Sequence, residues 1–344
     1  MPGYRADTYK VKWSMAIRKI TKNNDMQTEE SYTFLLPAYK ATYLREAIQS
    51  IVEQTIDDWQ LIVSDDCSPE DILSVVHQFD DKRIVYRRNE QNIGGRNLVE
   101  HWNLLLDLCD TEYCIMASDD DVYVPTFLEE IDRLANKYPH CNLFHARAHC
   151  IDAKGEIFKS DALYEEFVCQ LDYLEQVDYY NHIECMANYV FRTRPLKDAG
   201  GFVDFPLAWG SDMATCNMLA KNGVANTKDI LFSFRMSGLN ISSQPISNKS
   251  ITRKKFEACC LYDDFMTNMF QLVQFEDTLK NETTFERVVK QHKHRMAGLM
   301  MWQSVSLPLS DFLRYIIKYR KKGYIESLFL ILKKWIVAQI KGIR

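Results

Sequence analysis

Apolar and polar positions along the chain follow two alternating rhythms, and the alternation predicts the architecture. Tyr32-Thr-Phe-Leu-Leu36 is a short apolar run ended by Pro37, a strand, after which Leu44, Ala47, Ile48, Ile51 and Val52 recur at helical spacing with one buried face. Trp59–Ser64 predicts a second strand, residues 69–79 a helix, and Arg83–Arg87 a third strand. A helix follows with Leu98, Trp102, Leu105 and Cys109 on one stripe, then a strand over Glu112–Ala117. Phe127, Ile131, Leu134 and Ala135 mark another helix, and Asn142–His145 another strand. The rhythm breaks over Ala162–Tyr180, an expected helical or irregular insertion, and resumes near Asn188–Phe191. From Ile251 onward nearly everything reads as helix. Strands alternating with helices of this length specify βαβ units and a mostly parallel α/β sheet flanked by helices, with ligands beyond the carboxyl ends of the strands.

Composition narrows the class. With 344 residues, 47% hydrophobic and 26% charged, the chain has the make-up of a soluble globular protein, and its net charge of −5 argues against a nucleic-acid partner. Charge is uneven: residues 311–344 carry nine Lys/Arg against two Asp/Glu, a net +7, so the preceding body is at −12. Ten scattered cysteines without a C-x-x-C pair read as free thiols, which fits a cytoplasmic location. Residues 1–30 are polar and unpatterned, without the apolar stretch of a signal peptide, and Met26 is a candidate natural start. The expected organisation is a loose extension over 1–30, a catalytic unit over 31–245 and a helical region with a basic amphipathic tail over 246–344.

Three polar clusters fall at predicted strand ends: Pro37-Ala38-Tyr39, Asp65-Asp66-Cys67-Ser68 and Ser118-Asp119-Asp120-Asp121. Each alone also reads as a helix cap or a solvated turn. Together they gather chemistry at one sheet edge. Adjacent carboxylates repel unless a cation or proton neutralises them, and hard oxygen ligands suit Mg2+ or Mn2+, which bridge phosphate oxygens.

Taken in order, these segments resemble the family-2 glycosyltransferases of the GT-A fold, which use nucleotide-diphosphate sugars. The likeness spans roughly Tyr32–Ser243. Leu36-Pro-Ala-Tyr39 is similar to the family's opening V-P-x-Y, and Ser50–Thr55 with Leu61–Ser68 to its S-x-x-x-Q-T and I-V-D-D-x-S segments. The resemblance implies that Asp65, Asp66 and Ser68 lie at the nucleotide base and ribose, with Asn92 and Gly94 in the N-x-G loop under the nucleotide sugar. Ser118–Asp121, with Pro125 beyond, is similar to the D-x-D-D-x-x-x-P metal motif. It implies Asp120 as metal ligand, with Asp121 beside it and Asp119 toward the donor. Gly200-Gly-Phe-Val-Asp204 and Trp209-Gly-Ser-Asp212 resemble the segments that hold the acceptor and catalytic base, which makes Asp212 the candidate base and Asp204 and Trp209 candidate acceptor contacts. Asp212 also reads as a helix N-cap. Phe234–Ser243 is similar to the Y-R-x-H-x-x-N-x-S loop, with Ser237 in place of the His, which shifts phosphate neutralisation toward Arg235 or the metal.

The resemblance therefore implies an inverting, metal-dependent transfer of one sugar to a hydroxyl of a glycan or lipid-linked acceptor, as in cell-surface polysaccharide synthesis. The signature Q-x-x-R-W of processive synthases is absent, as is any run of about 20 apolar residues. In the tail, Ile325, Leu328, Phe329, Leu332, Ile336 and Ile340 share one helical face behind Arg314, Lys318, Arg320, Lys321 and Lys322. That pattern suits an anionic membrane surface and equally a helix packed on the body. A nucleotidyltransferase or a Rossmann oxidoreductase would need glycines after the first strand, and Pro37-Ala-Tyr-Lys-Ala41 has none. A catalytically inactive scaffold subunit rests on Ser118, Ser211 and Ser237 alone.

Overall fold

The computed structural model describes residues 31–179, 182–238, 248–277 and 282–304, with isolated helical positions between 310 and 340. The stretch 1–30 with Met26, the distal part of the 234–243 segment and most of the basic tail lie outside the described residues.

A ten-stranded sheet forms the centre. Its first half alternates strictly: β1 (Tyr32–Ala38), α1 (Leu44–Val52), β2 (Trp59–Asp65), α2 (Ile72–Val76), β3 (Ile84–Arg88), α3 (Leu98–Asp107) and β4 (Tyr113–Met116). β3, β2, β1 and β4 lie side by side in parallel, with Ala38 at the end of β1 registered against Asp65 at the end of β2. The expected helix over 69–79 is only the five residues of α2, capped by the Asp71 side chain accepting from Ser74 N at 3.0 Å.

Beyond β4 the sheet becomes mixed. β5 (Val122–Tyr123), α4 (Phe127–Lys137), β6 (Leu143–Ile151), β7 (Ile157–Ser160), β8 (Phe167–Val168), α5 (Gln170–Tyr179), β9 (Tyr189–Arg192), α6 (Thr193–Asp198), α7 (Ser211–Leu219) and β10 (Val224–Arg235) follow. β9 runs antiparallel between β4 and β6, and β10 pairs parallel with β6 and antiparallel with β5. Two helices, α8 (Lys249–Asp277) and α9 (Glu282–Ser304), complete the described chain.

The period-2 alternation of β1 explains the layering. Phe34, Leu36 and Ala38 join Leu44, Ile48 and Ile51 of α1 and Phe127, Ile131 and Leu134 of α4 on one face. Leu35 faces the opposite way, toward Val99, Trp102 and Leu105 of α3. A third cluster joins Phe256, Cys259 and Tyr262 of α8 to Leu174, Val203 and Phe205, which seats the C-terminal helices beside the start of α7. No described helix is long and apolar enough to cross a membrane. All ten cysteines are free thiols, eight of them buried.

Candidate functional site

Because β2, β1 and β4 are parallel neighbours, the segments that follow them open on one edge, and hydrogen bonds stitch them together. Asp66 N donates to Ala38 O at 2.9 Å, and Ser68 Oγ donates to Tyr39 O at 2.6 Å. From the other side Asp119 Oδ2 accepts from Tyr39 N and Lys40 N, both at 2.9 Å. The three clusters that the sequence singles out are thus one structure. The Tyr39 side chain stands exposed on it, and Ala38 is fully buried.

Asp65 and Asp66 are both buried, and each accepts three hydrogen bonds. Asp65 accepts from Ser68 N at 2.8 Å, from Tyr86 Oη at 2.7 Å and from the guanidinium of Arg88, which also donates to Ser68 O at 2.9 Å. Asp66 folds the loop after β3: Oδ1 accepts from Asn89 Nδ2 and Ile93 N, both at 2.9 Å, and Oδ2 from Gly94 N at 2.7 Å. A Cβ on Gly94 would lie 2.9 Å from Asp66 Oδ2, so only glycine admits this approach. Asn92 closes the turn by accepting from Gly95 N. Beneath the loop His101 Nε2 lies 2.9 Å from Ser64 Oγ, and burial lowers its pKa. The two carboxylates thus shape the wall beside Tyr39 through the chain's own donors.

The acidic loop shows a division of labour. Burial pushes the Asp119 carboxyl up to about 6 despite its two amide donors. Burial and the adjacent Asp120 charge push Asp121 well above the usual carboxylate range, although Oδ1 accepts from Arg235 N at 2.8 Å. Asp120 accepts from Ser118 Oγ, the residue that stands where the motif's first acid would be. Arg235 is 2% exposed. Its Nε donates to Asp120 O at 2.8 Å, one Nη to Glu46 Oε2 at 2.7 Å, and its guanidinium lies 4.3 Å from the centre of the Tyr43 ring. The side chain expected to meet a diphosphate thus also braces the acidic loop.

Among the described residues no three His, Cys, Asp or Glu side chains converge where a metal ion could sit. A hard divalent cation held by one or two carboxylates, with phosphate oxygens and water in its other positions, needs no such cluster. Asp120 with Asp121 meets that lesser demand, in a loop whose crowded negative charge a cation would offset.

Asp212 lies in the first turn of α7, whose N-cap is Gly210 with φ of 80°. The capping role expected as its alternative therefore belongs to Gly210. Oδ1 accepts from Met213 N at 2.8 Å, and burial pushes the carboxyl up to about 6, against the pull of the Arg295 charge from α9. Ser211, where the family pair has its first acid, is a buried brace that accepts from Phe205 N at 3.1 Å. Lys255 Nζ of α8 sits 4.2 Å from the Trp209 ring centre, and Asp204 accepts from Asn97 Nδ2 at 2.8 Å, which ties the 204 turn to the start of α3 near the Gly94 loop. Burial raises the Cys185 thiol, and the charges of Asp121 and Asp212 add to the effect.

Sequence reasoning overlooked Tyr86, Arg88, Glu46, Glu184 and Arg295. Arg88 was open to discovery by the rule used for the acids, since it too ends a parallel strand. The others carry no local signal, because contacts distant in sequence bring them in.

A parallel half-sheet with a carboxylate loop at its edge is shared with known glycosyltransferases. Residues 33–200 of the chain match the family described as Glycosyl transferase family 2. An uncharacterized glycosyltransferase of Haemophilus influenzae is 27% identical over 233 residues, 64% of this chain and 70% of that one. The GalNAc(5)-diNAcBac-PP-undecaprenol beta-1,3-glucosyltransferase of Campylobacter jejuni is 36% identical over 129 residues, 36% of this chain and 40% of its own. The chain spans less than half the length of most curated relatives it matches. In fold it is similar to S. aureus TarS in complex with UDP-GlcNAc, with a TM-score of 0.54 and 16% identity over 84% of this chain and 89% of that one. The fold is GT-A.

Proposed function

We propose that the chain is an inverting, metal-dependent glycosyltransferase that moves one sugar from a nucleotide-diphosphate sugar to a hydroxyl of a glycan or lipid-linked acceptor. The observations that carry the reading are the acidic loop over Asp119–Asp121, braced by Arg235, and the half-buried Asp212, whose carboxyl is pushed up to about 6. A base of that pKa is ionised at neutral pH yet basic enough to take a hydroxyl proton, a contribution of about 10²–10⁴ in rate. Asp120, with Asp121, would hold Mg2+ or Mn2+, which when bound neutralises the charge growing on the departing diphosphate. The protein's own residues do the remainder. Asp119 fixes the Tyr39–Lys40 backbone, Asp65 and Ser68 the wall behind it, and Asp66 the Asn92–Gly94 loop beneath the donor. Asp204 and Trp209 border the acceptor side.

Attack assisted by Asp212 on the face opposite the diphosphate inverts the anomeric carbon. The lipid-linked acceptor is supported by the undecaprenol-linked substrate named for the Campylobacter jejuni relative, and the basic amphipathic stretch 311–344 would suit a membrane surface that presents it. Isothermal titration with UDP, GDP and dTDP, with and without Mn2+, tests the reading against Asp120→Ala. Metal-dependent binding of one nucleotide that the substitution removes is the expected result. A protein that binds none of the three would refute it.

A further inference from the structure

Buried polar atoms without hydrogen bonds are costly, and folds keep few of them. Among the described residues, those of Trp59, Asn217, Gln291 and His292 leave one such atom each, scattered through the chain. Residues 182–184 differ. Both ring nitrogens of His182 and Oε2 of Glu184 lack partners within two positions of each other, on side chains 2% and 9% exposed.

These atoms are held in place. The His182 ring stacks on His145 with centroids 4.4 Å apart and lies 4.8 Å from the Tyr164 ring. Glu184 Oε1 accepts from Tyr173 Oη at 3.3 Å and Tyr189 Oη at 3.2 Å, which leaves Oε2 as its unused end. His182 Nδ1 lies 3.8 Å from that carboxyl. Rings and hydroxyls thus fix two polar side chains whose remaining capacity no described residue uses.

Their place in the fold names the ligand. The segment runs on to Met186, which packs in one cluster with Met213 and Cys216 of α7, and to Ala187, whose carbonyl accepts from Tyr123 Oη of β5 at 2.9 Å. The segment therefore lies against both β5, which follows the loop assigned to the leaving diphosphate, and α7, which carries the residue assigned to the attacking hydroxyl. In a displacement reaction the group between leaving group and nucleophile is the one transferred.

We propose that His182 and Glu184 are specificity-determining residues that hydrogen-bond the hydroxyl or acetamido groups of the donor's sugar ring. The inference rests on the transferase reading above. Burial, with the Asp212 charge nearby, pushes Glu184 up to about 8, so its carboxyl keeps a proton at neutral pH and offers a donor as well as an acceptor. Burial also pushes His182 well below its usual range and holds it as neutral imidazole, again one donor and one acceptor. Uncharged groups of both kinds match a hydroxyl-bearing ring better than a phosphate.

The test compares dissociation constants for a nucleoside diphosphate and its sugar conjugate, UDP against UDP-glucose and UDP-GlcNAc or GDP against GDP-mannose, in wild type, His182→Ala and Glu184→Ala. The variants should bind the nucleoside diphosphate within about twofold of wild type and lose roughly tenfold or more for the sugar conjugate. Met186→Leu, in the core beside the segment, should shift neither. Sugar-conjugate affinity unchanged in variants that still bind the nucleotide overturns the proposal. Should the alanine variants fail to bind nucleotide at all, His182→Phe and Glu184→Met carry the same comparison, because they keep most of the side-chain volume and remove the hydrogen-bonding atoms. A wild-type protein that binds no nucleotide would instead overturn the transferase reading.

Discussion

Arg235 separates two accounts of the acidic loop. As a diphosphate ligand its loss would weaken donor binding and leave the fold intact. As the brace seen here, its loss is first a loss of stability. Arg235→Ala removes a charge-assisted hydrogen bond to the carbonyl of Asp120, worth about 1.5–3 kcal/mol with that acceptor left buried. The ion pair to Glu46 adds at most about 1 kcal/mol because Glu46 is 53% exposed and solvent screens it. Stacking on Tyr43 contributes about 0.5–2 kcal/mol. Allowing for non-additivity, the total is on the order of 3 kcal/mol, read as a fall of roughly 5 °C or more in Tm. Arg235→Lys keeps the charge but not the fork, and recovers less than half of that. Thermal unfolding read beside nucleoside-diphosphate affinity decides the matter. Wild-type Tm in Arg235→Ala, together with a large loss of diphosphate affinity, would refute the bracing role and restore the ligand role.

Asp212→Asn should lower kcat by about 10²–10⁴ while nucleotide affinity stays within a few-fold. In wild type the rate should fall as pH drops through about 6, where the carboxyl takes a proton and ceases to be a base, and the variant's residual rate should lack that limb. Gly94→Ala forces a Cβ to 2.9 Å from Asp66 Oδ2, so denaturant unfolding should show a loss of about 1–3 kcal/mol and titration a weaker nucleotide complex. Glu184→Gln tests the sign of a raised pKa. Because the folded protein holds that proton up to about 8 and the unfolded chain releases it near 4.5, wild type loses stability as pH rises between those values. The variant lacks this term, so its stability relative to wild type should grow from pH 5 to pH 8 in urea unfolding.

The first half of the fold was legible because each element there is stabilised locally. The helical stripe of Leu44, Ala47, Ile48 and Ile51 and the alternation of Phe34, Leu35 and Leu36 state which faces are buried, and the strand ends then place the polar clusters. Much of the second half was not legible. β10 carries Asn226, Thr227, Lys228 and Asp229 in its middle, and register shifts against β6 flank Ile230, so no apolar alternation survives to mark a twelve-residue strand. β7 is an exposed edge strand with no buried side to betray it. At the site, identity outran role: Arg235 and Asp65 were found by position. Their partners Glu46, Tyr43, Tyr86 and Arg88 come from elements that only tertiary pairing brings near. The Glu184 environment arises in the same way, from Tyr173, Tyr189 and a helix more than 100 residues away.

The central claim is that Asp212 directs a hydroxyl onto the face of the sugar opposite the departing diphosphate. Water can stand in for the acceptor, so the direct measurement is proton NMR of the sugar first released from whichever α-linked nucleotide sugar the protein binds, in the presence of Mn2+. The account predicts that the β anomer appears first, before mutarotation, and that Asp212→Asn releases sugar at least about 10²-fold more slowly. Initial release of the α anomer, or undiminished release by the variant, would contradict it.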